Sequence, residues 1–319
     1  MRKPKIRFYF LMLTAVICGS ACEGQEPVKE APTAATAAVT ARDQFSAYWY
    51  AGEAELNRYT LEQMRYGEKR RGEAVLIFVT ENFLPERQVK DESGSTESVT
   101  VLKLNAMKKF ETGIYDYSVM QSVFTPIDAR KMPYTLKATF SSQDWCGQAF
   151  SQINLRGKTL HHQVRSYFEN PGDAEHTLDA TYFEDDIWNR LRLEPQTVPL
   201  GEVEIIPSQE HLRLRHEDFL PQKAKGTLSL LITDDKTGKE YYIYTLEYKD
   251  AGRTVTWKCE SKFPFKITEW REEIFSESGR KETTTGKLTH TLNNSYWKLN
   301  SKSDTSLRDS LGIQLHFAE

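Results

Sequence analysis

From about residue 55 to residue 300 the dominant pattern in this chain is alternation of apolar and polar side chains with a period of two. That period belongs to strands, whose successive side chains point to opposite faces. Tyr115, Tyr117, Val119 and Val123 share one parity, as do Tyr134, Leu136, Ala138 and Phe140, with polar residues mostly between them. The same holds for Leu228 to Ile232, for Tyr242, Tyr244, Leu246 and Tyr248, and for Val255, Trp257 and Cys259. Ala74 to Val79 is instead a continuous apolar run bounded by Gly72 and Glu81-Asn82, which reads as a central strand buried on both faces. Turn residues at hairpin length fill Asp234 to Lys239 and Lys249 to Arg253, so neighbouring strands are antiparallel. The expected fold is mainly β, a curved antiparallel sheet or open half-barrel with one covering helix. That helix follows Thr181-Tyr182-Phe183-Glu184, which has capping-box spacing, and Phe183, Ile187 and Leu191 recur every four residues until Pro195. Glu184, Asp185 and Asp186 then occupy its first turn, where the helix dipole favours acids.

The N-terminus sets the destination of the chain. A basic leader from Met1 to Arg7 precedes an apolar run from Phe8 to Ile17 and then Gly19-Ser20-Ala21-Cys22. The run is too short to span a bilayer and ends in small residues, which is the form of a secretory signal. With cysteine directly after the small residues, the pattern resembles a bacterial lipoprotein signal, in which Cys22 is acylated and becomes the mature N-terminus. Residues 1–21 are therefore the signal, 22–40 a flexible tether rich in Ala, Thr, Glu and Pro, and 41–319 one β-rich domain opened by a short helix. The hairpin-rich stretches 55–168 and 200–300 are of similar length, so the domain has room for two similar halves. Removing residues 1–21 takes away four basic residues and no acid, so a formal charge of −3 becomes −7. A nucleic-acid binder needs a basic stripe, and this chain is acidic. The expected partners are a membrane, through the lipid, and a hydrophobic small molecule or an envelope protein.

Few residues point to chemistry. Cys146 and Cys259 either pair, closing a loop of 113 residues, or remain buried free thiols. Cys146 within Ser142-Gln143-Asp144-Trp145-Cys146-Gly147-Gln148, with His161 or His162 as base, is the one arrangement that fits a thiol hydrolase, and a structural turn is the competing reading. The acids Glu184 to Asp186 could serve a glycoside hydrolase, but the helix start accounts for them more simply. His211 and His216 lie five apart and face opposite ways in an extended segment, so no metal site is expected. The chain has no Gly-x-Ser-x-Gly elbow, no Gly-rich phosphate loop and no His-Glu-x-x-His helix. The expectation is a non-enzymatic binding or scaffold module without a cofactor; the alternative is an envelope hydrolase acting on glycan or peptide through Cys146 and a histidine.

Four segments carry a resemblance: Tyr48-Trp49-Tyr50-Ala51-Gly52-Glu53-Ala54-Glu55, Glu73 to Glu81, Ser141 to Gln148, and Arg165-Ser166-Tyr167-Phe168-Glu169. In them the chain resembles a family of Bacteroidota lipoproteins often labelled "septum formation inhibitor Maf". True Maf nucleotide pyrophosphatases open with a Ser-x-Ser-Pro-Arg-Arg loop on an α/β fold, which this chain lacks, so that activity does not carry over. The strand-rich layout and the segment Phe263 to Trp270 are also similar to the open half-barrels of periplasmic lipoprotein carriers. These resemblances imply an envelope location, an outer-membrane lipid anchor and a concave face able to hold a hydrophobic ligand.

Overall fold

The computed structural model describes residues 34–233, 237–276 and 278–313, with side chains from residue 42 onward. Cys22 and the signal lie outside the described residues. Helix α1 (Ala34–Trp49) begins inside the stretch expected to be tether, and Arg42–Glu319 forms one compact unit. The strands of its first half are β1 (Ala54–Arg65), β2 (Glu68–Leu84), β3 (Val89–Lys90), β4 (Val99–Thr112), β5 (Tyr115–Pro126), β6 (Lys137–Asp144), β7 (Gly147–Arg156), β8 (Thr159–Ser166) and β9 (Ala174–Asp179). Then come β10 (Tyr182–Phe183), a 3-10 turn at Glu184–Asp186, helix α2 (Ile187–Leu193), β11 (Gly201–Ile206) and helix α3 (Gln209–Arg215). The second half is β12 (Gln222–Ile232), β13 (Glu240–Tyr248), β14 (Arg253–Glu260), β15 (Ile267–Phe275) and β16 (Lys281–Asn294), followed by the short helix α4 (Leu307–Ser310).

All sixteen strands among the described residues belong to one sheet. Two meanders, β1 to β9 and β11 to β16, are joined side by side where β16 pairs with β1. The pairing is antiparallel throughout except at one edge, where β10 runs parallel to β11. Strands β9 and β10 are the two outer ends of this order, yet only Ala180 and Thr181 separate them. Three Cα steps reach about 11 Å at most, so the sheet has to curl until its edges nearly meet. Among the described residues no strand pairing closes it. Irregularities at Arg58/Tyr59 and Lys258/Cys259 supply local bending.

The expected covering helix is a plug. Ile187, Trp188 and Leu191 of α2 are buried against Leu76, Phe78, Leu102 and Leu104 on one side of the concave face and Trp257 and Trp270 on the other. The capping box does not form: Phe183 precedes the turn without a side-chain cap, and Thr181 Oγ1 donates to the Glu204 carbonyl. The reason is the parallel pairing of Tyr182 and Phe183 with β11, which keeps the backbone extended where a cap was expected. Strand β2 is buried on both faces as its apolar run implied, because Leu311 and the half-buried Tyr296 and Ile313 cover Ile77 and Val79 from outside. Gly286 sits under the Trp270 ring, where a Cβ would come within 2.1 Å of the indole. The sequence allows this close stacking because glycine leaves the strand surface flat.

Candidate functional site

Antiparallel order places α3, the turns at 66–67, 113–114, 145–146 and 249–252, and the segment 167–173 at the same end of the sheet. Here the inward parity of the strands is broken by polar residues: Gln63 follows Tyr59 and Leu61, Lys108 follows Leu104 and Ala106, Gln121 interrupts Val119 and Val123, and Glu272 follows Trp270. These residues, with Arg253, Glu184, Asp185 and the α3 residues Glu210 and His211, line a cavity of about 260 Å³. Trp188, Trp257 and Trp270 also line it. The volume is well over ten times the roughly 15 Å³ that one water needs.

Every ionisable side chain on the plug segment is buried, and all except Asp185 have an ion-pair partner. Glu184 binds Arg253 through both oxygens, at 2.5 and 2.6 Å, and accepts from Tyr248 Oη at 2.7 Å. Arg253 Nε also donates to Glu272 at 2.6 Å, and His211 bridges Glu272 at 3.1 Å and Glu217 at 3.2 Å. Burial alone would raise the Glu272 pKa, but Arg253 and His211 outweigh it and hold the carboxyl below its usual range. The same two acids outweigh burial at His211 and raise its pKa. Asp186 is clasped by Arg190 at 2.8 and 3.0 Å and accepts from Thr135 Oγ1 at 3.0 Å. Arg192 pairs with Glu55 at the centre of the sheet, and both are fully buried.

Asp185 differs from its neighbours. Its Oδ2 accepts from the Gln209 backbone at 3.3 Å and from Gln209 Nε2 at 3.1 Å, while Oδ1 is buried with no hydrogen-bond partner. Gln121 lies close enough to lower the Asp185 pKa without completing a hydrogen bond. Burial dominates, reinforced by the Glu184 charge, and pushes the carboxyl up to about 7. Gln63 Oε1, Gln121 Nε2 and Trp257 Nε1 are likewise buried and unpartnered, and all of these residues face the same cavity. Unsatisfied buried polar atoms are rare in folded proteins, and several around one space mark a site built to be filled.

A second cavity of about 210 Å³ lies on the other side of α3, between it and β7 to β9. The two are linked by hydrogen bonds. Gln209 gives its N–H groups to Asp185, so its Oε1 accepts, and Ser151 Oγ donates to it at 2.6 Å. With the hydroxyl proton so committed, His162 Nε2 donates to Ser151 at 2.8 Å. Burial pushes the His162 pKa down to about 3, so the ring is neutral and Nδ1 is a bare, unpartnered acceptor. This direction of donation leaves Ser151 no base and makes it a poor nucleophile.

The arrangement expected for a thiol hydrolase does not assemble. Cys146 is exposed in the β6–β7 turn, its N–H bonded to Asp144 at 2.6 Å. His162 is paired opposite Ile153, seven positions beyond Cys146, which at about 3.3 Å per residue is roughly 23 Å away. His161, one position further, is exposed. Cys259 is buried toward the opposite end of β14, its pKa pushed up to about 12 by burial, and both cysteines are free thiols, so the structure does not pair them. His211 and His216 lie on and just after α3, not in an extended segment. Among the described residues no group of three or more His, Cys, Asp or Glu is placed to hold a metal ion.

Sequence reasoning weighed Glu184 to Asp186 as helix-start acids and missed the chamber above them. The signal was present: polar residues at the inward parity, Gln63, Lys108, Gln121 and Glu272, break four strands that line one cavity. Comparison with family models, with curated proteins and with solved structures gives no match.

Proposed function

We propose that this protein is a non-enzymatic binding module of the bacterial cell envelope, held at the outer membrane by acylated Cys22, whose chamber beneath α3 takes a small, hydroxyl-rich molecule. The observation that carries the reading is the set of buried polar atoms around one cavity without a full complement of partners: acceptors on Gln63 and Asp185, and donors on Trp257 and on Gln121, which lies beside Asp185. A ligand offering both donors and acceptors satisfies them, and indole rings supply apolar surface for its C–H faces. The polar lining favours such a ligand over an acyl chain, since α2 already fills the apolar part of the concave face. Among the acids at the site, Glu184 and Glu272 are held by Arg253, which suits them to shaping the chamber.

Tryptophan fluorescence of the purified full chain, titrated with monosaccharides, amino sugars and linear polyols, tests this. A saturable change is expected with at least one of them, and Ala106→Leu, which fills the chamber, abolishes it. No response from any member of the panel, or an unchanged response in the filled variant, overturns the reading.

A further inference from the structure

Hairpin turns are ordinarily made of Gly, Asn, Asp and Pro, but those at the chamber end of this sheet expose large apolar side chains. Phe275 at the β15–β16 turn, Tyr66 at β1–β2, Ile114 at β4–β5, Trp145 at β6–β7 and Tyr167 after β8 are between 56% and 81% exposed. These five turns are consecutive in the order of the sheet. Single exposed apolar residues are normal, whereas one on each of five adjoining tips makes a surface. The backbone sets two of them. Tyr66 and Gly67 form a two-residue turn with φ +56° and +74°, and Asn would take the first position without the strain that an aromatic residue brings there. The Tyr167 ring lies over Gly147, where a Cβ would come within 2.7 Å of it, so the ring rests on the turn that carries Trp145.

The row of tips is continuous with the chamber. Tyr66 and Gly67 line it, and so do Ile274 and Glu282 on either side of the β15–β16 turn, so the chamber reaches the surface between these two tips. Neighbouring tips are two strands apart, about 9.6 Å, which is close to the length of a disaccharide in an extended glycan. The turns at 111–116, 144–147 and 167–173 carry Glu111, Asp116, Asp144, Glu169 and Asp173 and no basic residue. Carboxylates accept hydrogen bonds from hydroxyls and repel a bilayer or polymer of negative charge, while aromatic rings offer flat surface to the C–H faces of sugars. Building on the chamber as a site for a hydroxyl-rich molecule, we infer that chamber and rim hold one ligand, the end of a linear, uncharged glycan. Its terminal sugar sits in the chamber, and the following units run along the rim past Tyr66 toward Trp145 and Tyr167.

The test is calorimetric titration of the full chain with neutral oligomers of glucose, mannose and N-acetylglucosamine, from the monosaccharide to the hexasaccharide, with phosphatidylglycerol vesicles run alongside. Affinity is expected to rise with each of the first added units and then level off. In the double variant Trp145→Ala, Tyr167→Ala the gain from length falls by roughly twofold to tenfold per ring removed. The monosaccharide response stays, since neither residue lines the chamber, and the variant melts with the parent because both side chains are exposed. Ala106→Leu, which fills the chamber, weakens binding at every length. A monosaccharide response without gain from length, or a gain that survives in the double variant, overturns the inference and leaves the chamber reading standing. Long-chain binding that Ala106→Leu leaves unchanged, or Trp145-dependent binding of the vesicles in place of glycan, also overturns it. No response at any length does the same, and the wider panel of amino sugars and polyols then decides the chamber reading on its own.

Discussion

Removing the negative half of the Glu55–Arg192 pair isolates what holds the plug in the sheet. Glu55 projects from β1 at the centre of the sheet, Arg192 from the last turn of α2, and neither is exposed. Arg192 Nη2 donates to Glu55 at 2.7 Å and Nε donates to the Pro264 carbonyl at 3.0 Å; Asn57 and Tyr48 donate to the remaining carboxylate positions. Its guanidinium also lies 4.8 Å from the Phe78 ring centre. Glu55→Gln keeps the shape and one acceptor but strands a positive charge in the core. Breaking a buried pair from one side costs about 3–5 kcal/mol, whereas replacing both partners with apolar groups is often close to neutral. For a domain of this size each kcal/mol moves the melting point by about 2–4 °C, so Glu55→Gln should melt roughly 6–20 °C lower. Arg192→Met alone should be similarly harmful, because Glu55 is then stranded. The double variant Glu55→Gln, Arg192→Met should recover at least half of the loss. The sign with pH follows from the depressed Glu55 pKa: burial would raise it, but Arg192 outweighs burial and lowers it below 4.5. A carboxylate depressed in the folded state contributes stability above its unfolded pKa and loses it as pH falls through the folded value. The gap between parent and Glu55→Gln should therefore close in acid. Urea denaturation followed by tryptophan fluorescence at pH 7 and pH 3 measures all of this. A single variant within about 1 kcal/mol of the parent, or a double variant as unstable as the sum of the singles, would refute the reasoning.

Two further outcomes follow from the site. Asp185 has a folded pKa of about 7 against an ordinary 3.8, so the native state holds its proton longer and stability falls as pH rises between those values. Asp185→Asn removes that slope and should exceed the parent by up to about 4 kcal/mol above pH 7 while matching it near pH 4; parallel urea midpoints across this window would contradict the assignment. Gly286→Ala pushes a methyl into the Trp270 ring and should destabilise by about 1–3 kcal/mol, with red-shifted tryptophan emission, and a neutral result would mean that the indole has room to move.

Much of the sheet was legible without coordinates because strand information is local. Alternation, the apolar run from Ala74 to Val79 and the turns near Asp234 and Lys249 each report on a few neighbouring residues, and each corresponds to a strand or hairpin that forms, except that Tyr134 and Leu136 precede β6 rather than belonging to it. The segment from Thr181 to Pro195 was misread for the same reason. Its spacing encodes a capped amphipathic helix only if the backbone at Tyr182 and Phe183 is free, and a parallel pairing with β11 removes that freedom. Cys146 and the adjacent histidines looked like neighbours because proximity in sequence was the only measure at hand. Along antiparallel strands it becomes a separation of several residues' rise.

By itself, then, the amino-acid order determined that the chain is mainly β, that its strands run in hairpins and that β2 is buried on both faces, since periods and turn residues act over short range. Only the tertiary structure decided that the sheet curls until its edges nearly meet and that α2 plugs it. It also decided that Gln63, Gln121, Asp185 and Trp257 share one chamber. Those contacts join residues far apart in the chain, and no local pattern encodes which inward-facing polar group will meet a partner and which will meet empty space.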